Sequence, residues 1–259
     1  MNTELYRRII PKILVSRSAG FEKVNVITTR FYEHFRTMGM PTSQARIFQA
    51  NIADELMILD VDKLTRDFAS LLDVVSKVND LIFMPLSVGG GIRTFEEAAR
   101  LFEIGVEKVV LDSIFASNPN EVERIAIRFG SQSVIGSCTF WGDESTAISF
   151  DSKRFLHLTD VPNRIKQMEE SGVGEVMIND ASKDGLRQGS NLRILKEVVS
   201  MTSLPVIDSC GFGKTRHFID SFRQGASAVA VGSYFAYVDQ SILQLRNQIS
   251  NYDIKVRIK

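Results

Sequence analysis

Short apolar segments rich in β-branched residues alternate along the chain with segments whose apolar positions recur at the period of an α-helix. In Thr94–Ile104, for example, apolar side chains recur three and four residues apart, and Gly105 follows as a helix-terminating residue. Eight segments are predicted to be strands: Arg8–Val15, Glu55–Asp60, Phe83–Val88, Lys108–Asp112, Ser133–Cys138, Glu175–Asn179, Pro205–Ser209 and Ala228–Gly232. Eight segments are predicted to be helices: Thr42–Ala50, Lys63–Val78, Thr94–Ile104, Asn120–Arg128, Pro162–Ser171, Asn191–Met201, Lys214–Arg223 and Gln240–Ser250. This alternation is typical of an α/β protein whose parallel sheet closes into a (β/α)8 TIM barrel. No linker or low-complexity segment divides the chain, so we predict one barrel domain over residues 1–259.

The sequence also repeats itself at about half its length. The segment Pro85–Ala116 aligns without a gap with Pro205–Ala236, at an offset of 120 residues. The same offset carries Glu55–Asp60 onto Glu175–Asp180. We therefore predict that the barrel consists of two homologous half-barrels.

Composition narrows the class of protein. The chain is 44% hydrophobic and 24% charged, which is ordinary for a globular protein with a large core. Lys+Arg and Asp+Glu both total 31, so no net field favours nucleic acid or an anionic membrane. No apolar run approaches the roughly 18 residues that would span a bilayer. Because Cys138, Cys210 and the three histidines are dispersed, we expect no disulfide framework, no metal site and no cofactor, and a reducing cytoplasmic location.

Glycine-containing or small-residue turns follow four of the predicted strands, in two pairs related by the repeat. Consecutive glycines let backbone N–H groups approach an anion, and a following helix N-terminus adds partial positive charge. The candidate phosphate-binding residues are Gly90, Gly91, Asp112 and Ser113 in the first half, and Gly211, Gly232 and Ser233 in the second. Tight turns need glycine in any case, and the Asp112 carboxylate counts against an anion at the first cradle unless a cation intervenes. Two facing cradles predict a phosphorylated small molecule with a phosphate at each end.

Two strand-to-helix connections, Ser16–Pro41 and Thr139–Val161, are longer than the others. In a barrel of this type the active site is built from such loops at the C-terminal ends of the strands. Both loops fall at equivalent places in the two halves, which favours a functional role over tolerated surface insertion.

Taken together, several ordered motifs resemble one family, the cyclase subunit of imidazole glycerol phosphate synthase. The matching segments are Arg8–Pro11, Ala53–Leu56, Leu59–Asp60, Val88–Arg93, Arg128–Gln132, Gly174–Glu175, Lys183–Gly185 and Pro205–Ile207. The resemblance covers essentially the whole chain. It implies that a glutaminase subunit docks on the N-terminal face of the barrel and sends ammonia along its axis. At the C-terminal face, ammonia would meet a bis-phosphorylated ribulosyl-formimino nucleotide, which the family cyclises and cleaves.

The resemblance also implies an ammonia gate, a ring of four charged residues at the starts of strands. The matching residues are Arg8, Glu55, Lys108 and Glu175, and all four have the expected charge. Two cations and two anions around the barrel axis could neutralise one another, as buried charges require. The alternative is that they form ordinary salt bridges on the bottom face.

Two departures from the family concern its catalytic carboxylates. The aspartates that serve as acid and base in the family match Leu14 and Thr139, neither of which can replace a carboxylate near neutral pH. Asp143 and Glu144 lie shortly after Thr139 and could substitute for it. The catalytic residues of this chain are therefore unknown at the level of sequence, and we expect cyclisation to be lost.

Further acidic residues lie at or just after predicted strand ends, namely Asp60, Asp180, Asp184 and Asp208. Asp184 and Gly185 match the family best, as part of the active-site mouth and the second phosphate clamp, and Asp184 is a possible residual catalytic group. Lys23 could match a loop lysine of the family. Trp141 could stack on a sugar or nucleobase, or pack as an exposed loop residue on the barrel rim.

A barrel that keeps the gate and loses the acid/base pair resembles the paralogous copies of surface-polysaccharide gene clusters, which deliver ammonia for acetamidino sugars. The segments Gly130–Ser137 and Phe140–Gly142 are consistent with that subgroup. The leading hypothesis is an ammonia-channelling subunit of a glutamine amidotransferase complex in nucleotide-sugar biosynthesis, partnered by a glutaminase and a sugar amidotransferase. The alternatives are a histidine-pathway cyclase (a lyase) with displaced catalytic groups, a non-catalytic scaffold that activates a glutaminase, and a phosphosugar isomerase that needs no partner.

Overall fold

Eleven strands and ten α-helices make up the part of the chain that the structure, a computed structural model, describes: residues 6–17, 24–62, 67–142, 155–237 and 241–257. The strands are β1 (Arg8–Ser16), β2 (Asn25–Arg30), β3 (Glu33–Gly39), β4 (Leu56–Asp60), β5 (Leu86–Gly89), β6 (Lys108–Leu111), β7 (Val134–Trp141), β8 (Leu156–His157), β9 (Glu175–Asp180), β10 (Val206–Ser209) and β11 (Ala228–Val231). The helices are α1 (Pro41–Ala50), α2 (Phe68–Asn79), α3 (Phe95–Glu103), α4 (Ile114–Ser117), α5 (Pro119–Phe129), α6 (Val161–Glu170), α7 (Leu192–Met201), α8 (Thr215–Arg223), α9 (Ser233–Tyr237) and α10 (Ile242–Ser250).

Eight of these strands form a closed parallel barrel in the order β1-β4-β5-β6-β7-β9-β10-β11. The barrel closes because β11 pairs in parallel with β1, with Arg8 opposite Ala228. Helices lie between successive strands, so the predicted (β/α)8 barrel is confirmed. The two copies of the repeat contribute β5–β6 and β10–β11, which lie four strands apart around the barrel, as two half-barrels require.

The sequence explains where individual helices begin. The Thr94 hydroxyl caps α3 by accepting a 3.2 Å hydrogen bond from the Glu97 N–H. Ser241 and Gln244 form a reciprocal capping box at the start of α10. The predicted helix Lys63–Val78 begins only at Phe68, because the Asp67 carboxylate caps it through the Ser70 N–H at 3.1 Å. Residues 63–66 of that prediction lie outside the described ranges.

The predicted start of the third strand of the barrel was too early. β5 begins at Leu86 and not at Phe83, whose side chain is 95% exposed. The Phe83 and Met84 N–H groups donate to the Gln49 side chain on α1 at 2.8 and 3.2 Å. Pro85 has no N–H to offer a neighbouring strand, so sheet pairing starts after it.

The first long connection is not an irregular loop. Within it, β2 and β3 form an antiparallel hairpin, and β2 pairs with the upper part of β1, with Leu14 opposite Ile27. The hairpin turn is at Phe31 and Tyr32, whose φ angles are 56° and 57°. The hairpin therefore covers one side of the barrel mouth.

Two apolar layers hold the barrel. The outer layer packs the outward side chains of the strands against the helices. The inner layer fills the barrel itself and includes Ile10, Met57, Val110, Ile135, Met177, Ile207 and Ala228. Across the described ranges, no helix is both long and apolar enough to cross a bilayer.

Candidate functional site

The four predicted gate residues meet at the N-terminal end of the barrel. Arg8 pairs with Glu55 at 2.6 Å through Nη1 and with Glu175 through Nη2. Lys108 pairs with Glu175 at 2.5 Å and with Glu55 at 3.5 Å. Each cation therefore contacts both carboxylates, and the four charges form a closed ring around the barrel axis.

The ring is tightly coupled. Its carboxylates are nearly buried, with side chains 8% and 9% exposed, whereas Arg8 and Lys108 retain 25% and 19%. Burial alone would raise the pKa of Glu175, but the Arg8 and Lys108 cations hold it below its ordinary value. Glu175 therefore stays ionised, and its charge is balanced within the ring.

The barrel interior changes character along its axis. Above the ring it is apolar, lined by the inner layer that includes Ile10, Met57 and Met177. Nearer the mouth, polar side chains such as Ser137 and Asn179 face one another, with a 2.9 Å hydrogen bond between them. The barrel thus presents a charged end, an apolar middle and a polar mouth.

The first predicted cradle lies in a cavity of about 160 Å³ at the mouth, lined by Gly90, Gly91, Asp112 and Ser113. Gly90 has a φ of 98°, and a Cβ there would lie 2.0 Å from the Asp60 carbonyl oxygen, so only glycine fits. The structure thus brings these four predicted residues together, and their role in phosphate binding stays a prediction. The Asp112 carboxylate accepts hydrogen bonds from two hydroxyl groups.

Asp112 is the centre of a hydrogen-bond chain across the mouth. Its Oδ2 accepts bonds from the Ser137 hydroxyl at 3.0 Å and the Thr139 hydroxyl at 2.5 Å. The chain continues from Ser137 to the Asn179 amide at 2.9 Å and on to the Tyr32 hydroxyl at 3.4 Å. Burial raises the pKa of Asp112, and the two hydroxyl bonds oppose that rise.

The second predicted cradle lies in a cavity of about 270 Å³ between the hairpin and the ends of β1, β10 and β11. Gly211, Gly232 and Ser233 all line it. Gly211 has a φ of 81°, and a Cβ there would lie 2.2 Å from the Gly189 carbonyl oxygen. Lys12 also lines this cavity, and its side chain is buried inside the barrel.

Neither position of the expected acid/base pair carries a carboxylate. Leu14 is 6% exposed and belongs to the apolar filling of the barrel. Thr139 lies in β7, and its hydroxyl is occupied by Asp112. Asp143, Glu144 and Lys23 lie outside the described residues.

Asp184 and Gly185 contact the hairpin. The Asp184 Oδ2 accepts bonds from the Thr29 hydroxyl at 2.6 Å and the Tyr32 N–H at 2.9 Å. The carbonyl oxygen of Asp184 accepts a further bond from the Phe31 N–H at 3.2 Å. A Cβ at Gly185 would lie 2.2 Å from the Thr29 carbonyl oxygen. Asp184 lines the second cavity, but one of its oxygens is committed to fixing the hairpin turn.

The remaining candidate acids have structural contacts. Asp180 accepts bonds from the Gly142 N–H, the Asn191 amide and the Ser182 hydroxyl, which fixes the loop after β9. Asp208 is 2% exposed and accepts a 2.8 Å bond from the Ser221 hydroxyl on α8, so it faces away from the mouth. Burial raises the pKa of Asp60 to about 6.

Of the two alternatives that the sequence left open for Trp141, the exposed loop residue is wrong. Trp141 is the last residue of β7 and is only 5% exposed. Its ring lies 5.7 Å from the rings of both Phe31 and Phe155. Trp141 therefore packs beneath the hairpin turn, because the hairpin covers the rim on which it lies.

Sequence reasoning missed Lys12 and Tyr32 as residues of the mouth. A signal existed for Lys12, because it shares with Arg8 and Leu14 the period of two that directs side chains into the barrel. Tyr32 gave no such signal, since its position depends on the hairpin. Within the described ranges, no group of three or more His, Cys, Asp or Glu side chains is arranged to hold a metal ion.

Comparisons with known proteins show what this chain is similar to. A family described as "Histidine biosynthesis protein" matches residues 8–240. The chain is 33% identical to a "Putative imidazole glycerol phosphate synthase subunit hisF2" of Prochlorococcus marinus, over 98% of this chain and 99% of the relative. A protein of the same name from Pseudomonas aeruginosa is 35% identical over 89% and 91% of the two chains. The "Imidazole glycerol phosphate synthase subunit HisF" of Pyrobaculum aerophilum is 31% identical over 97% and 98%.

Proposed function

This chain belongs to the histidine biosynthesis protein family, and we propose that within it the protein conducts ammonia as the synthase-like subunit of a glutamine amidotransferase. A glutaminase would dock on the N-terminal end of the barrel, as the resemblance implies. The ammonia would serve an amidation in nucleotide-sugar or surface-polysaccharide biosynthesis, completed by a sugar amidotransferase. Classical cyclisation is not part of the proposed activity.

The observation that carries the proposal is the closed ring of Arg8, Glu55, Lys108 and Glu175 beneath an apolar barrel interior. Neutral ammonia can cross an apolar layer, whereas ammonium and other ions pay a desolvation cost of several kcal/mol. The ring closes the axis while its bridges are intact. Since Arg8 and Lys108 are the more exposed members, opening would move one of these cations toward solvent.

The C-terminal end supports the second half of the proposal. Leu14 and Thr139 leave the mouth without the carboxylate pair that the resembled family uses as acid and base. Two of the relatives bear the subunit name with the suffix of a second copy, which supports assignment to a paralogous branch. The mouth would then present ammonia to an acceptor and leave the bond-making groups to the partner enzyme.

An isotope experiment on the reconstituted complex tests the passage. The protein, its glutaminase and the sugar amidotransferase are supplied with amide-15N glutamine and an excess of unlabelled ammonium. We expect the wild-type product to carry mostly 15N, and the Arg8→Ala product to carry mostly unlabelled nitrogen at undiminished glutamine hydrolysis. Arg193→Ala, which removes an exposed arginine of α7, is the matched control and should retain the label. A wild-type product that carries mostly unlabelled nitrogen would leave only the scaffold alternative, and retention of the label by both Arg8→Ala and Glu175→Gln would show that the ring does not control the passage.

One observation favours a second candidate, a cyclase of the histidine pathway with a displaced catalytic group. The Asp112 carboxylate lies 2.5 Å from the Thr139 hydroxyl and could take over a proton transfer at that place. The purified protein should be incubated with the ribulosyl-formimino nucleotide and ammonium at high pH. Our proposal expects no imidazole glycerol phosphate, and its formation in wild type but not in Asp112→Asn would establish the second candidate instead.

A further inference from the structure

A buried lysine lies inside the barrel just below its mouth. Lys12 is the third inward-facing residue of β1, between Ile10 and Leu14, and is only 4% exposed. Its ammonium donates a 2.6 Å hydrogen bond to the Ser209 hydroxyl on β10 and lies 6.0 Å from the centre of the Tyr32 ring. The Ser209 hydroxyl donates in turn to the Ala230 carbonyl oxygen at 3.1 Å, which leaves its lone pair for Lys12.

No carboxylate in the described part of the chain lies within salt-bridge distance of the Lys12 ammonium. Other cations away from solvent are paired: the partly buried Lys108 with the ring carboxylates, and the buried Arg246 with Asp54 at 2.9 Å. Lys12 forms no salt bridge with any described carboxylate, and Ser209 uses one of its three donors. A buried ammonium without a carboxylate partner is destabilising, so a role in binding accounts for Lys12 better than a role in stability.

The unpaired ammonium borders a cavity. Lys12 is at the floor of the space of about 270 Å³ beneath the hairpin, near the lower end of the size range of small-molecule sites. The same cavity is lined by the hydroxyl-bearing residues Thr28, Thr29 and Ser233. Asp184 lines it as well, but its Oδ2 accepts from the hairpin and it forms no salt bridge with Lys12 among the described contacts.

From this arrangement we infer that Lys12 binds the oxyanion of a small hydroxylated ligand, such as a phosphate ester or a carboxylate, in the cavity beneath the hairpin. The ammonium supplies the charge, and a charge-assisted hydrogen bond in a site sheltered from water is stronger than one in solvent. The hydroxyl groups of the ligand would face the threonine and serine side chains of the wall. This site goes beyond the ammonia passage, because it concerns the molecule at the mouth and requires no glutaminase.

Binding of two probes to the purified protein tests the inference. Glycerol phosphate and glycerate share the hydroxylated skeleton and differ in the oxyanion, so calorimetry with each one identifies which class the cavity takes. We expect wild type to bind at least one probe and Lys12→Met to weaken that binding about tenfold or more, the loss of one hydrogen bond to a charged group. Lys166→Met, which removes an exposed lysine of α6, should bind as wild type does. Unchanged binding by Lys12→Met, or no binding of either probe by wild type at tens of millimolar, overturns the inference.

Stability separates a binding lysine from a structural one. Methionine has a similar length and no charge, so ligand-free Lys12→Met should unfold at the same or a higher urea concentration than wild type. A marked loss of stability in Lys12→Met would show that Lys12 has a structural role and would contradict the inference. If the variant does not fold, wild type still decides, since the probe that binds should slow acylation of the Lys12 amine and leave that of Lys166 unchanged. Equal acylation of Lys12 with and without the probe counts against the site.

Discussion

The Thr139 hydroxyl donates a 2.5 Å hydrogen bond to the Asp112 carboxylate, across two neighbouring strands at the barrel mouth. Thr139 is the position at which the resembled family places one of its two catalytic carboxylates. The mouth therefore keeps one carboxylate close to that place, supplied by the end of β6 instead of β7. The same oxygen of Asp112 also accepts a hydrogen bond from the Ser137 hydroxyl.

Replacing Thr139 by valine should raise the pKa of Asp112 further. Burial already raises this pKa, and the Thr139 and Ser137 hydroxyls oppose the rise because they stabilise the ionised form. Valine keeps the shape of the side chain and removes the donor. The measurement is an NMR titration of the protein labelled with 13C at the aspartate carboxyl groups. Thr159→Val, at an exposed position, serves as the control, and an Asp112 titration that stays in place or moves down in Thr139→Val would contradict the prediction.

Asp184 should govern how firmly the hairpin covers the barrel. Its Oδ2 accepts from the Thr29 hydroxyl and the Tyr32 N–H, next to a turn with two non-glycine residues at positive φ. Such conformations cost about 1–2 kcal/mol per residue and persist only when surrounding contacts hold them. Asp184→Ala should therefore loosen the hairpin and expose Trp141 beneath it.

The single tryptophan makes this measurable without a label. Trp141 is 5% exposed and packs on Phe31 of the turn, so its emission should shift to the red in Asp184→Ala and acrylamide should quench it more strongly. Asp160→Ala removes an exposed carboxylate with no cap hydrogen bond and should leave the emission as in wild type. Wild-type emission and quenching in Asp184→Ala would show that the carboxylate does not hold the hairpin.

Local sequence determined much of this architecture. Each strand of the barrel is a short segment rich in β-branched residues, and in each helix the apolar residues recur at the helical period. The order of these segments predicted the barrel without knowledge of contacts between distant residues. The charged ring was also predictable, because the family resemblance pointed to Arg8, Glu55, Lys108 and Glu175. All four lie at strand starts, and parallel strands bring their starts to one end. The 120-residue offset between Glu55 and Glu175 pointed to the same end of both half-barrels.

What the sequence did not reveal depends on contacts between distant segments. The hairpin β2–β3 is stabilised by Asp184, more than 150 residues away, and its turn carries Phe31 and Tyr32 where a turn would favour glycine or asparagine. Trp141 is buried only because that hairpin lies over it. The chain from Tyr32 to Asp112 joins four elements, and no spacing along the sequence could indicate it.

The buried carboxyl group of Asp208 should make stability depend on pH between about 4 and 7. Burial raises its pKa to about 7 in the folded protein, although the Ser221 bond opposes the rise. The unfolded chain releases this proton near pH 4, so between the two values the folded state binds more protons than the unfolded one. The contribution of Asp208 to the free energy of unfolding should therefore be greatest below pH 4. It should fall as the pH rises, by up to about 1.4 kcal/mol per pH unit, until the decline ends near pH 7.

Asp208→Asn keeps a hydrogen-bond acceptor for Ser221 and removes the titration. Urea denaturation at several pH values should then give a flatter profile for Asp208→Asn than for wild type, while Asp80→Asn, at an exposed helix end, should retain the wild-type slope. Parallel profiles for wild type and Asp208→Asn would mean that Asp208 does not hold a proton at pH 5–6.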